Sequence, residues 1–102
     1  MDIINLNINN DTNNILQQLL CSNNFKPDNL TLEKLDNITW ISEHINNAII
    51  SKRFEYWTDI SIGNLIYILN FYNNNNDINN KCKLLLIEYI NYLKQKKIIS
   101  ID

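Results

Sequence analysis

Apolar residues recur at spacings of three or four in four segments of this chain, as expected where one face of a helix is buried. The clearest row is Leu35, Ile38, Ile41, Ile45 and Ile49. A single glycine and a single proline occur in 102 residues, so little in the chain interrupts helices. The pattern predicts a mainly α fold, a small bundle of about four helices that forms one domain over residues 1–102.

Capping residues place two helices in the second half of the chain. Ser61 is the candidate N-cap of a helix to Tyr72, whose apolar residues cover nearly its whole circumference. We expect this helix to be the central and most buried one. Asp77 is the candidate N-cap of a last helix that ends near Lys96.

The first half of the chain contains one ambiguous helix boundary. Thr12 is the candidate N-cap of a helix to Cys21, which residues 22–27 interrupt. Asp28 could then cap one helix that continues through the row of isoleucines. Alternatively, residues 36–39 separate a short helix from a longer one.

The apolar faces of these helices predict a shared core. Its expected members are Ile45, Ile49, Leu65, Ile66, Leu69, Leu85, Leu86 and Tyr89. Cys21 and Cys82 also lie on apolar helix faces, and a free cysteine there behaves as a small buried hydrophobic residue.

The two ends of the chain suggest one exception to the helical pattern. Residues 3–9 alternate apolar and polar side chains with a period of two, as a half-buried strand does. Residues 99–101 could pair with them, so that the termini form a short two-stranded ribbon.

Composition limits the setting in which the chain works. No apolar run approaches the roughly 18 residues that span a membrane, and Asp2 stands where a secretory signal would carry a basic residue. The two cysteines cannot form a secreted disulfide framework. We therefore expect a cytoplasmic protein without membrane contact. The 21 asparagines and 19 isoleucines, with no valine, indicate an AT-rich genome.

Residues that carry catalytic chemistry are scarce. His44 is the only histidine, and no Cys/His cluster with metal-ligand spacing accompanies it. Gly63 is the only glycine, which excludes the glycine-rich loops that hold phosphate groups. We expect no enzymatic activity, no metal and no cofactor, and we expect His44 to be an ordinary residue at the edge of its helix face.

The charge is divided unevenly along the chain. Residues 1–51 contain six acidic and two basic residues, a balance of −4, whereas residues 52–102 contain five acidic and seven basic residues, a balance of +2. The total of −2 argues against general nucleic-acid binding, which depends on phosphate neutralisation. A local basic patch that includes Lys52 and Arg53 remains an alternative.

A candidate binding surface follows if the helix is continuous over residues 30–53. A rotation of about 100° per residue then places one aromatic and four polar side chains on a single stripe, opposite the core face. The members of this acidic stripe are Glu33, Asp36, Trp40, Glu43 and Asn47. Tryptophan is enriched at binding hot spots, and carboxylates around it would attract a basic partner. In the alternative interpretation, Trp40 packs under another element of the same chain.

These features together favour a protein-binding function. The most concrete hypothesis is a small acidic inhibitor, of the immunity-protein or antitoxin type, that blocks a basic partner which handles nucleic acid. Its carboxylates would occupy the partner's phosphate-binding surface. One alternative is a structural or regulatory interaction module of a larger assembly, and a second is a nucleic-acid accessory protein that uses the basic second half. The sequence leaves the oligomeric state open.

Overall fold

The computed structural model describes residues 10–96, which form five α-helices and one short 3-10 helix. The α-helices are α1 (Asn10–Cys21), α2 (Asn29–Lys34), α3 (Ile38–Ser51), α4 (Asp59–Phe71) and α5 (Asn76–Gln95). The 3-10 helix, Phe54–Tyr56, lies between α3 and α4. The predicted mainly α bundle is confirmed, and no strand occurs among the described residues. The ribbon expected from residues 3–9 and 99–101 lies outside them.

The long apolar row belongs to two helices, because capping side chains end one and start the next. Asp28 caps α2, its Oδ1 accepting a hydrogen bond from the Thr31 N–H at 2.7 Å. α2 ends at Lys34, and Asn37 caps α3, its Oδ1 accepting from the Trp40 N–H at 3.1 Å. Of the two predicted arrangements, the structure has the short helix followed by the longer one.

Three predicted N-caps are wrong by two or three residues. α1 begins two residues before Thr12, which is buried in its first turn. Thr58 caps α4, and Ser61 completes a capping box in which the Thr58 N–H donates to Ser61 Oγ. Asn75 caps α5 in place of Asp77. Several Asn, Thr and Asp side chains stand near each helix start, and their sequence alone does not decide which of them caps.

The core is centred on α5, which packs against α1, α3 and α4. α4 buries the larger share of its residues, seven of 13 against seven of 20 for α5. The prediction that α4 is the most buried helix is therefore confirmed. The prediction that it is the central helix is wrong, because α5 contacts three helices and α4 has Ile60, Tyr67 and Phe71 exposed on its outer face. The 20-residue α5 is long enough to contact three neighbours at once.

The predicted core residues are buried together, with one exception. The buried ones are Ile45, Leu65, Ile66, Leu69, Leu85, Leu86 and Tyr89. Ile49 is only partly buried and packs against this cluster. On α3 the buried face runs through Ile41 and Ile45, whereas Ile38 at the start of the helix is 49% exposed. The core face of α3 is therefore rotated relative to the predicted row of isoleucines.

The two cysteines have different surroundings. Cys82 is buried as predicted, but Cys21 is exposed. Cys21 lies five residues after Leu16, which is buried, and so faces about 140° away from it around the helix. Its position at the end of α1 leaves it on the solvent side.

Residues 22–28 cross α4 at the only glycine of the chain. An alanine Cβ at Gly63 would lie 2.5 Å from both the carbonyl carbon and the carbonyl oxygen of Lys26, so only hydrogen fits there. The next residue, Asn64, is buried, and its Oδ1 accepts a hydrogen bond from the Asp28 N–H at 2.9 Å. Its Nδ2 donates to Asp28 Oδ2 at 3.2 Å. Gly63 and Asn64 together hold this segment, and the start of α2, against α4.

Candidate protein-binding surface

The interruption between α2 and α3 divides the acidic stripe. Glu33 lies in α2, Asp36 lies in the connection, and both are exposed. Burial, with a smaller contribution from the charge of Asp36, raises the pKa of Tyr72. The Tyr72 hydroxyl donates a hydrogen bond to the Leu35 carbonyl oxygen at 2.7 Å, which places the neighbouring Asp36 near the end of α4. The predicted stripe on one continuous helix is not the geometry of the chain, because Asn37 starts a new helix.

The other three members of the stripe remain together on α3, since they are three and four residues apart. Trp40, Glu43 and Asn47 line a shallow cleft of about 150 Å³ together with His44. Glu43 and Asn47 are exposed, whereas Trp40 and His44 are half-buried. This Trp40 cleft combines two aromatic rings with one carboxylate and one amide.

The sequence left open whether Trp40 is exposed at a binding surface or packed under another element, and in the structure its position is intermediate. It packs against the hydrophobic core on one side and lines the cleft on the other. Trp40 precedes the buried Ile41 by one residue, or about 100° around the helix, so it lies at the edge of the core face. The ring is thus anchored in the fold and still presents area at the surface.

The imidazole of His44 stacks on the indole of Trp40. The ring centroids are 4.9 Å apart and the ring planes differ by 9°. His44 follows Trp40 by one helical turn, the spacing that brings two side chains over each other. The sequence predicted an ordinary residue at His44, although its spacing of four residues from Trp40 is the signal that could have identified the stack.

The charge state of the cleft depends on how these groups are buried. Burial lowers the pKa of His44, and the negative charge of Asp28 offsets part of that effect. The pKa of Asp28 is itself lowered, chiefly because its carboxylate accepts the backbone hydrogen bond of Thr31. At neutral pH the imidazole is therefore uncharged, and Glu43 gives the cleft a negative charge.

We expect the folded-state pKa of His44 to lie below its ordinary value of 6.5. The unfolded chain then binds the proton at higher pH than the folded chain, so the free energy of unfolding falls as pH drops from 6.5 through the folded-state pKa. His44→Gln removes this part of the pH dependence. NMR titration of the single imidazole gives the pKa directly, and a midpoint at or above 6.5 would contradict the stacked, half-buried position.

Basic residues of the second half make contacts within the chain. Lys52 Nζ lies 3.0 Å from Glu88 Oε2, and Lys81 Nζ lies 3.2 Å from Asp77 Oδ2. Lys96 lies over the ring of Tyr92, with its Nζ 5.9 Å from the centroid. The two carboxylates offset part of the positive charge on which the nucleic-acid alternative depends.

Other kinds of site have less support in the described part of the chain. Residues 10–96 contain no group of three or more His, Cys, Asp and Glu side chains placed to hold a metal ion. Burial raises the pKa of the Cys82 thiol to about 12, so this thiol is protonated and unreactive at neutral pH. In the same range no helix combines the length and apolar character needed to cross a membrane.

The sequence matches no protein-family model, and no similar curated protein or solved structure was found.

Proposed function

We propose that this chain is a non-enzymatic protein-binding domain whose Trp40 cleft engages a basic protein. The observation that carries the proposal is the half-buried Trp40 ring, held flat against His44 beside the exposed carboxylate of Glu43. A ring already held in the free protein loses little conformational entropy on binding, which favours a hot spot. Glu33 and Asp36 add exposed carboxylates just before α3.

The most concrete form of this function is an inhibitor of the immunity-protein or antitoxin type that blocks a nucleic-acid-handling partner. The balance of −4 over residues 1–51 supports it, since carboxylates can take the place of nucleic-acid phosphates on a basic surface. The proposal includes a cytoplasmic location. Two free thiols, one of them the exposed Cys21, fit a reducing compartment.

Charge reversal at Glu43 tests the proposal. A suitable probe is a short peptide with one leucine flanked on both sides by lysines, which offers positive charge and one apolar contact. We expect Glu43→Lys to weaken binding of this peptide by about fivefold at low salt, equivalent to ~1 kcal/mol. The difference should shrink as salt is added, because exposed charges are screened. Calorimetric titration at several salt concentrations measures both effects.

Glu55→Lys is the matched control, since Glu55 is exposed in the 3-10 helix and does not line the Trp40 cleft. It changes the net charge by the same amount and should leave peptide affinity close to that of the unmodified protein. Both variants should melt at nearly the same temperature, because isolated exposed charges contribute little to stability. Equal weakening by the two variants, or no binding by the unmodified protein, would contradict the proposal.

A further inference from the structure

The outer face of α4 is covered along only part of its length. This face runs at spacings of three or four through Ile60, Gly63, Asn64, Tyr67 and Phe71. Residues 22–28 cross its middle at Gly63 and Asn64. On either side of the crossing the apolar side chains stay uncovered, with Ile60 51%, Tyr67 37% and Phe71 52% exposed. Among residues 10–96, the centre of this face is therefore covered and its two ends are exposed.

Two adjoining clefts lie between the crossing and the C-terminal end of α4. Tyr67 and Asn70 line both of them. The first, about 300 Å³, lies between α4 and the crossing segment and includes Lys26. The second, also about 300 Å³, is completed by Leu35 and Phe71. We name the two clefts together the α4 groove.

We propose that the α4 groove binds an extended peptide segment of a partner protein, with an apolar side chain between Leu35 and Phe71 and a carboxylate at Lys26. The chain itself shows how this face receives such a segment. At the crossing, Gly63 allows close approach of a backbone, and the Asn64 amide bonds to the backbone N–H of Asp28. Asn70 is exposed between the two clefts and offers the same amide group to an incoming backbone.

The charge of the groove selects an acidic segment. Of the described side chains that line the groove, Lys26 is the only charged one. The groove is therefore positive at its Lys26 end, while the exposed carboxylate of Asp36 follows Leu35 at the other end; the Trp40 cleft is negative through Glu43. A carboxylate complements Lys26 and repels Glu43, so electrostatics directs acidic and basic segments to different faces. This second site belongs to a different helix from the proposed basic-partner site, and either can fail without the other.

The experiment is an NMR titration of the isotope-labelled protein with a short peptide that has one leucine flanked on both sides by glutamates. We expect saturable shifts of the Asn23, Tyr67 and Asn70 amides. The lysine-flanked peptide should leave these amides unchanged. Lys26→Glu should weaken binding by about fivefold, the effect of ~1 kcal/mol for an exposed charge pair.

Arg53→Glu is the matched control, because Arg53 is exposed, does not line the α4 groove and changes the net charge equally. It should retain the affinity of the unmodified protein. The proposal is overturned if the groove amides do not shift, if both peptides shift them equally, or if the two variants weaken binding equally. Shifts of the same amides on concentrating the protein without peptide would assign the groove to a second copy of the chain, and would overturn it as well.

Discussion

Replacing Leu69 by alanine will lower the free energy of unfolding by about 2–5 kcal/mol. Leu69 is 6% exposed and belongs to the core that α4 shares with α5. Its truncation removes buried apolar surface and leaves a cavity that the surrounding helices fill only in part. Because small domains have total stabilities of ~5–15 kcal/mol, the urea midpoint measured by circular dichroism should fall far.

Leu30→Ala is the control for this change, since it removes the same atoms from a residue that is 52% exposed. We expect its effect to stay within about 0.5 kcal/mol, as for most surface substitutions. If Leu69→Ala shifts the midpoint no more than Leu30→Ala does, α4 is not packed into the core as described.

Gly63→Ala will also destabilise the protein, by about 1–3 kcal/mol, although alanine is a better helix former than glycine. The added Cβ would lie 2.5 Å from the backbone of Lys26, and a backbone segment cannot rotate away as a side chain can. Displacing the segment would also strain the hydrogen bonds of Asn64 with Asp28. Urea unfolding measures the loss, and NMR amide shifts over residues 22–28 locate it.

Asn80→Ala is a suitable control, because Asn80 is exposed on α5 and the change also raises helix propensity. We expect Asn80→Ala to leave stability unchanged or slightly higher. Gly63→Ala would act in the same direction if residues 22–28 did not lie against α4, and that result would exclude the crossing.

Periodicity predicted the helices well, because each of them buries one face and so repeats its apolar residues at helical spacing. It could not predict which helix is central. That depends on how many neighbours a helix meets, and the nearly all-apolar α4 has exposed Ile60, Tyr67 and Phe71 where no helix covers it. Asp28 was predicted correctly as the N-cap of α2, but three other N-caps were missed because several Asn, Asp, Ser or Thr side chains near each helix start are competent to cap.

The candidate sites were predictable only where they are local. Trp40, Glu43 and Asn47 share one helix face, as their spacing predicts, but the capping role of Asn37 separates Glu33 and Asp36 from them. The Trp40–His44 stack could be predicted from the sequence, because side chains four residues apart lie over each other on a helix.

The α4 groove depends on contacts between distant parts of the chain. Asp28 and Asn64 are 36 residues apart, and no short-range pattern predicts their hydrogen bonds. The role of Gly63 could not be predicted from the sequence either. A single glycine excludes a glycine-rich phosphate-binding loop, but it does not show which segment approaches it. Its close approach to Lys26 follows from the packing of residues 22–28 on α4.

The two tryptophans allow a direct measurement of whether basic segments bind at the Trp40 cleft. Trp40 lines that cleft, whereas Trp57 packs in an aromatic cluster with Phe54 and Tyr89, at ring distances of 4.9 and 4.8 Å. Each indole N–H gives its own NMR resonance. On addition of the lysine-flanked peptide we expect the Trp40 resonance to shift to saturation while the Trp57 resonance stays in place. A shift of Trp57 alone, or of neither indole, would contradict binding at this surface.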